Sequence, residues 1–234
     1  MNSQRSVRLE VTPAFIFCML LSAAISGLVA YSYFFPPTST AREVPVSCES
    51  NLEGIARAIH CYQTTHGELP PHEVLHNGHK HGWRAAIADF LTGESSVWKS
   101  GYDFGASWDS DSNRSSMRSF SPFFNCTEEN TALGYPYTSF VMLLRRSADN
   151  TFISPNELRP KAVLIVESSD SRIETGEPRD LKVADLFDGN GPFGPGRLNS
   201  RHEYHVNAMC VDGSVINIPK TISENELKKL LAGE

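Results

Sequence analysis

Residues 206–218, VNAMCVDGSVINI, contain the clearest local structural signal in the chain. Two extended runs flank Asp212 and Gly213, a pair that favours the tight turn of a β-hairpin. A two-residue turn would pair residues 206–211 with residues 214–218, and both turn residues would need a positive φ angle. The stretch therefore predicts a β-hairpin near the C-terminus.

Further strands are indicated upstream of this hairpin. Residues 139–144 (SFVMLL) and 161–167 (KAVLIVE) are short apolar runs. The second run is rich in β-branched residues, which is typical of a strand buried inside a sheet. We expect these two runs to join the hairpin as strands.

Helical periodicity appears in three places. In residues 47–66 the apolar side chains recur at helical spacing, and Gly67 follows as a stop signal. Residues 83–91 (WRAAIADFL) predict a second, shorter helix. Ser223 and Glu226 form a capping-box pattern ahead of an apolar run, which predicts a short C-terminal helix.

Two segments have the composition of loops. Residues 92–121 are rich in Ser, Gly and Asp, and we expect an ordered loop there. Four aromatic side chains would pin this loop: Trp98, Tyr102, Phe104 and Trp108. Residues 184–197 contain repeated Gly and Pro and predict a second loop.

The N-terminal region predicts a membrane anchor. Residues 13–35 contain no charged side chain, and a helix of this length can span a bilayer. Arg5 and Arg8 precede the run, so residues 1–12 are expected in the cytoplasm and the rest of the chain outside. A cleaved signal peptide ending near Gly27 is the main alternative, although the sequence stays apolar beyond it.

Composition agrees with one exported globular domain behind this anchor. Residues 36–46 predict a short Pro-containing linker, and residues 47–234 are long enough to form a single core. The chain has a formal net charge of −6 and no basic run, so we expect no nucleic-acid partner. The expected location is the cytoplasmic (inner) membrane, crossed once, with the C-terminal domain outside.

Four histidines lie close together in the sequence and could bind a metal ion. They are His72, His76, His79 and His81. Imidazole is the commonest metal ligand in proteins, but a closed zinc site needs ligands on rigid elements. Because this segment contains Gly78 and no cysteine, a solvated loop is the simpler interpretation.

An acidic stretch begins like a calcium-binding loop. Asp109, Asp111 and Asn113 alternate as the first ligands of such a loop do. Arg114 and Phe120 then occupy the positions that require glycine and a bidentate glutamate, so an EF-hand is excluded. A looser site with oxygen ligands remains open.

The chain shows no clear catalytic pattern. It contains no Gly-x-Ser-x-Gly elbow, phosphate loop or dinucleotide fingerprint. His202 and Asp212 could be combined with one of many serines into a triad, but no local pattern identifies a nucleophile. We therefore expect neither enzymatic activity nor a cofactor.

Several motifs in order resemble the domain-of-unknown-function family 1559, a set of pseudopilin-like proteins. The shared positions are Cys48-Glu49-Ser50-Asn51-Leu52, Ile59-His60, Tyr62, Gly67, Leu69-Pro70-Pro71, His81-Gly82-Trp83-Arg84, Trp108-Asp109-Ser110, Asn113, Phe124-Asn125-Cys126, Glu177-Pro178-Arg179-Asp180-Leu181 and Ser200-Arg201-His202. The family's C-terminal signature, a histidine followed after nine residues by Asp-Gly, is matched by His202 and Asp212-Gly213.

The resemblance implies a pilin-like α+β fold, in which an N-terminal membrane helix is followed by a helix packed on an antiparallel sheet. It implies no established activity. This chain departs from the family at its start, because residues 7–13 lack the leader cleavage motif and no glutamate lies inside the apolar run. A plain anchor is therefore expected instead of a processed pilin subunit.

The resemblance also bears on the cysteines. An exported domain lies in a compartment that permits disulfides, and four cysteines follow the anchor. Cys48 and Cys126 fall at recurrent family positions, and we expect them to pair. Cys61 and Cys210 are expected to be buried, unpaired thiols, with a second bridge as the alternative.

For the C-terminal signature we expect a structural role. Gly213 is explained by the turn, and His202 with Arg201 is placed to hold the preceding Gly/Pro loop against the sheet. Two function classes remain. One is a structural or interaction protein with protein partners in the cell envelope or in a type II secretion-like assembly. The other is a module that binds a ligand or metal ion through the His- and Asp-rich loops.

Overall fold

The computed structural model describes residues 48–92, 100–126 and 136–234. The predicted anchor at residues 13–35 and linker at residues 36–46 lie outside these residues. Among the described helices, none is long and apolar enough to cross a membrane.

The N-terminal half of the domain is mainly helical. Its elements are α1 (Cys48–His66), β1 (Glu73–His76), β2 (His79–Gly82), α2 (Trp83–Leu91) and α3 (Asp111–Phe124). The predicted helices at residues 47–66 and 83–91 are confirmed. In α1 the buried side chains include Leu52, Ile55 and Ile59, which lie on one face because they are three or four residues apart.

The C-terminal half forms the sheet and a last helix. Its elements are β3 (Phe140–Leu144), β4 (Val163–Glu167), β5 (Leu181–Lys182), β6 (His205–Cys210), β7 (Val215–Pro219) and α4 (Glu224–Ala232). The strand order is β5-β3-β4-β6-β7, with antiparallel neighbours except for the parallel pair β3 and β5. The predicted α+β class, the two upstream strands and the capped C-terminal helix are confirmed.

The sheet is covered on both faces, which explains its apolar central strands. In β3, Phe140 and Met142 face the core formed with α1, α2 and α3, whereas Val141 and Leu143 face the core that includes α4 residues. β4 is buried along its whole length. Its pairing with β6 shifts register between Val163 and Ile165, so strict alternation is lost there.

The histidine-rich segment forms a hairpin, so its interpretation as a solvated loop was wrong. Asn77 and Gly78 adopt φ angles of 49° and 81° between the paired residues His76 and His79. Positive φ at both central positions is the requirement of a two-residue type I′ turn, for which Asn-Gly is the favoured sequence. The Asn77-Gly78 pair is the sequence signal that could have predicted this hairpin.

The expected loop at residues 92–121 is also wrong in part, because α3 begins within it. The side chain of Ser110 caps this helix by accepting a hydrogen bond from the Asn113 backbone N–H. Met117, Phe120 and Phe124 are buried at helical spacing on the same element. The polar residues between these apolar positions obscured the helical period.

The C-terminal hairpin is confirmed, but its turn differs from the expected one. Met209 pairs with Val215, and the Gly213 N–H donates to the Cys210 carbonyl at 3.0 Å. The connection therefore has three residues, Val211, Asp212 and Gly213, and among them only Gly213 has a positive φ, of 80°. A type I turn followed by a left-handed residue has this form.

Contacts with residues 160–162 explain why the turn is longer than the predicted two residues. The N–H groups of Val211 and Asp212 donate to the carbonyls of Ala162 and Pro160, each at 2.9 Å. The Asp212 carboxylate also forms an ion pair with Lys161 at 2.6 Å. The segment before β4 thus holds Val211 in the turn, which shifts the predicted register by one residue.

Gly213→Val should destabilise the folded protein, whereas Gly213→Asn should cost much less. A Cβ atom at Gly213 would meet only the Ala56 Cβ at 3.7 Å, an ordinary contact, so the cost is backbone strain. Left-handed φ costs about 1–2 kcal/mol for an ordinary L-residue, is hardest for β-branched residues and is tolerated by asparagine. Urea denaturation of both variants measures the difference; equal losses would show that the conformation of Gly213 is not what matters.

Candidate functional site

A buried ion pair joins two of the sequence motifs, those at residues 81–84 and 177–181. Arg84, in α2, and Asp180, just before β5, have fully buried side chains, and Arg84 Nη2 lies 2.5 Å from Asp180 Oδ1. The same carboxylate oxygen accepts hydrogen bonds from the Trp83 indole N–H at 3.3 Å and the Met142 backbone N–H at 2.8 Å. The Arg84 guanidinium also donates to the Phe140 carbonyl from Nε at 3.1 Å and Nη2 at 3.0 Å. These motif residues connect α2, β3 and β5.

Gly82 and Trp83, which precede Arg84, pack closely in the same region of the interior. A Cβ atom added at Gly82 would lie 2.7 Å from the Glu177 carbonyl oxygen, so only glycine allows this approach of the two segments. Trp83 is fully buried and contacts Phe124 edge to face, with ring centroids 5.9 Å apart. The Gly-Trp-Arg motif therefore packs the interior and presents no surface for a ligand.

His81 is buried among aromatic rings. Its Nδ1 lies 2.8 Å from the Tyr102 hydroxyl, and the Phe104 ring packs against it with centroids 5.0 Å apart. Burial lowers the pKa of His81, which favours the neutral imidazole. Its Nε2 is buried and has no hydrogen-bond partner among the described residues. His81 thus fixes the segment that contains Tyr102 and Phe104.

Asn113 organises the chain before α3. Its side-chain amide donates to the carbonyls of Asp103 and Ser107, each at 2.9 Å, and its Oδ1 accepts from the Asp103 N–H at 2.8 Å. Asp109 accepts a hydrogen bond from the Ser107 hydroxyl at 2.5 Å. The Trp108 ring lies under the Arg114 guanidinium, with 5.6 Å between the ring centroid and the guanidinium carbon. The stretch that resembled a calcium loop is thus the capped start of a helix.

The predicted disulfide is confirmed. Cys48, the first residue of α1, is bonded to Cys126, which follows α3, with 4.6 Å between the Cα atoms. Cys61 and Cys210 are free, as expected, and Cys210 is buried. Cys61 is partly exposed, so its predicted burial was wrong. In the chain-entropy model, a bridge across 78 residues stabilises the folded state by about 4 kcal/mol.

His202, from the C-terminal signature, lies beside this disulfide. Its Nε2 is 3.9 Å from Cys126 Sγ and 3.9 Å from Glu167 Oε2. Its ring stacks on His205, with centroids 4.8 Å apart. The expected role of His202 was to hold the Gly/Pro loop, but these contacts connect its imidazole to the disulfide and to β4.

Glu167 is a fully buried carboxylate at the end of β4. Its Oε2 accepts hydrogen bonds from the Asn207 side-chain amide at 3.0 Å and backbone N–H at 3.3 Å. Its Oε1 is buried and has no hydrogen-bond partner in the described part of the chain. Burial raises the pKa of Glu167, and the nearby His202 and the hydrogen bonds from Asn207 and the Ser200 side chain oppose that rise.

These four side chains form a compact group of potential metal ligands. One ligand atom each from Cys48, Cys126, Glu167 and His202 lie within 4.8 Å of one another. Within residues 48–92, 100–126 and 136–234, no other group of three or more His, Cys, Asp or Glu side chains meets this criterion. Cys48, Cys126 and His202 belong to the motifs named from the sequence, whereas Glu167 was not predicted as a site residue.

Asp212 lies in a different environment from His202. Its carboxylate binds Lys161 and also accepts a hydrogen bond from the Ser214 hydroxyl at 2.6 Å. These contacts, with Lys161 the stronger, hold the pKa of Asp212 at about 2. The described contacts of Asp212 are thus those of a turn residue, whereas those of His202 involve the disulfide. Arg201, which precedes His202 in the sequence, is exposed at the surface.

An open aromatic cleft of about 830 Å³ lies beside the histidine hairpin. The side chains of Tyr62, Phe90 and Phe104 contribute aromatic surface, and His76 and Asp89 add polar groups. Apolar clefts of this size with a few polar groups are typical of small-molecule sites. Trp83 and Trp108, which belong to the motifs named in the sequence, are not among its lining residues.

Comparison with known families identifies the domain. A family model described as "Protein of unknown function (DUF1559)" matches residues 39–191. The chain belongs to this family. The matched residues include the Cys48, Gly-Trp-Arg and Asp180 motifs and end before His202. No curated protein and no solved structure matched the chain.

Asp180→Asn should destabilise the domain by about 3–5 kcal/mol, because it leaves the buried Arg84 charge without its counterion. The control is Glu73→Gln, which removes the partner of Lys80 in a pair with an N–O distance of 3.0 Å and a Lys80 side chain that is 62% exposed. The control should cost about 0–1 kcal/mol. Urea denaturation followed by tryptophan fluorescence compares them, and similar losses would contradict a central role for Asp180.

Proposed function

We propose that this DUF1559 protein is a membrane-anchored interaction protein whose domain is displayed outside the cytoplasm. In this proposal the domain has a structural role in the cell envelope or in a secretion-related assembly and performs no catalysis. The proposal depends mainly on one observation, the Cys48–Cys126 disulfide. Such bridges persist in oxidising compartments and are rare in a reducing cytoplasm.

The N-terminal sequence supports the same location. Residues 13–35 are uncharged, and Arg5 and Arg8 precede them. This arrangement favours an anchor with the following domain outside, since positive charge is retained on the cytoplasmic side. The disulfide and the charge distribution are independent arguments, and they agree.

The contacts of the motif residues support a role without catalysis. Arg84 and Asp180 form an ion pair in the interior, and the Asn113 side chain donates hydrogen bonds to backbone carbonyls of a loop. Such residues maintain a surface for a partner without reacting themselves. A long helix packed on an antiparallel sheet is also the arrangement that the pseudopilin-like resemblance implies, which favours assembly with other envelope proteins.

A topology experiment tests this proposal. A phosphatase that is active only outside the cytoplasm, fused after Glu234, should be active, and an N-terminal tag should stay in the membrane fraction. The chain isolated without reductant should yield a peptide containing the Cys48–Cys126 bridge. An inactive fusion with a free Cys48 would contradict the proposal, and a fragment starting near Gly27 would indicate a cleaved signal instead of an anchor.

The aromatic cleft favours a second candidate function, the binding of a small apolar ligand. Leu75 lies on the rim of the cleft and is 69% exposed, so it presents apolar surface without contributing much to the core. His66 and His76 supply polar atoms beside the aromatic surface. A flat heteroaromatic compound fits this combination better than a metal ion does.

Indole is a suitable probe of the cleft. Titration with indole should shift the NMR signals of His66 and His76, and Leu75→Asp should weaken binding about tenfold because it places a charge in the apolar rim. The control is Tyr204→Asp, at a side chain that is 71% exposed and does not line the cleft. If both variants bind indole as the original protein does, the cleft is not the binding site.

A further inference from the structure

We propose that, when the Cys48–Cys126 bridge is reduced, the two sulfurs form a binding site for Zn²⁺ together with His202 and Glu167. The site would have two thiolates, one imidazole nitrogen and one carboxylate oxygen. These groups come from the start of α1, the end of α3, the end of β4 and the segment before β6. The proposal concerns the reduced chain and does not depend on its location.

The distances are close to those that a zinc ion requires. In a tetrahedral site, Zn–S bonds of about 2.3 Å and Zn–N bonds of about 2.0 Å place the ligand atoms about 3.3–3.8 Å apart. Here the four ligand atoms lie within 4.8 Å of one another, and His202 Nε2 is 3.9 Å from both Cys126 Sγ and Glu167 Oε2. Breaking the S–S bond lets the sulfurs separate to their positions around an ion. Only small movements of the other groups are then needed.

The ligand types select zinc over the hard cations. Two thiolates and an imidazole suit Zn²⁺, whereas Ca²⁺ and Mg²⁺ prefer oxygen ligands. Each thiol loses its one proton when it becomes a zinc ligand.

Glu167 gives independent support for a cation at this position. Its side chain is fully buried, and its Oε1 has no hydrogen-bond partner among the described residues. An unpartnered carboxylate oxygen in the interior carries a desolvation penalty that a bound cation would remove. Asn207 orients the carboxylate through two hydrogen bonds to Oε2, the oxygen that lies 3.9 Å from His202 Nε2, as outer groups orient ligands in metal sites.

The backbone around His202 is also held in place. The Lys220 ammonium donates hydrogen bonds to the carbonyls of Ser200 at 2.9 Å and His202 at 2.6 Å. The His202 ring is further supported by its stacking on His205. A ligand that is positioned before the ion arrives loses little conformational entropy on binding.

The two cysteines can form either the disulfide or the zinc site, but not both at once. Reduction by a trialkylphosphine and water breaks the S–S bond, converts both sulfurs to thiols and leaves phosphine oxide; a dithiol can supply the same two electrons and two protons. Zinc binding then releases one proton from each thiol. In a reducing compartment the ion would connect α1 to the end of α3, and in an oxidising compartment the disulfide would do so.

Cobalt titration of the full-length protein tests the inference. After reduction with a trialkylphosphine, the protein should bind one equivalent of Co²⁺ with the intense visible bands of a tetrahedral, thiolate-ligated ion, and Zn²⁺ should displace it. The oxidised protein should show none of these bands. Glu167→Gln and His202→Ala should each weaken binding at least about tenfold.

The free cysteines provide the matched control. The double variant Cys61→Ser with Cys210→Ser removes two thiols that lie outside the group, so it should bind Co²⁺ as the original protein does. A second measurement needs no site variant: Zn²⁺ should protect Cys48 and Cys126 of the reduced protein from alkylation by iodoacetamide and leave Cys61 reactive.

Three outcomes would overturn the inference. The first is a reduced protein that binds no Co²⁺ and shows no protection by Zn²⁺. The second is loss of binding in the Cys61 and Cys210 control. The third is binding that is equally strong before and after reduction.

Discussion

The fold depends on a buried ion pair between residues 96 positions apart, Arg84 and Asp180. Burying two charges is costly, and their attraction offsets that cost only with good geometry and additional hydrogen bonds. Both groups have such hydrogen bonds, although Asp180 Oδ2 has no partner among the described residues. Here the guanidinium needs the Phe140 carbonyl, and the carboxylate needs the Met142 N–H. The ion pair therefore couples the position of helix α2 to that of strand β3 in the folded domain. The pair explains how β5, with only two residues, is held at the edge of the sheet.

Local sequence patterns predicted the elements that have a clear periodicity, an apolar run or a capping signal of their own. Helix α1 has a regular apolar period and a glycine stop, and α4 has a capping box that the structure reproduces at Ser223. Helix α3 was missed because Ser, Asn and Arg residues fill most positions between its buried side chains. The length of the last turn could not be predicted either, because Ala162 and Pro160, far away in sequence, hold Val211 in place.

In the candidate site, too, some residues could be predicted from local sequence patterns and one could not. Cys48, Cys126 and His202 were recognised because each lies in a sequence motif that resembles those of the family. Glu167 carries no such signal. It is the last residue of an apolar strand, where a carboxylate is usually exposed. Its burial results from tertiary contacts with Asn207 on the neighbouring strand, and no local pattern encodes such contacts.

The disulfide also determines how the domain would respond to mechanical tension. If the chain is pulled between a point before Cys48 and its C-terminus, the force passes from Cys48 directly to Cys126 through the covalent bridge. Residues 49–125, which include α1, α2 and α3, then lie in a closed covalent loop and are not stretched. Only the segment that contains the five-stranded sheet lies in the path of the force. Oxidation therefore shortens the length of chain that can be extended and shields the helical half of the domain.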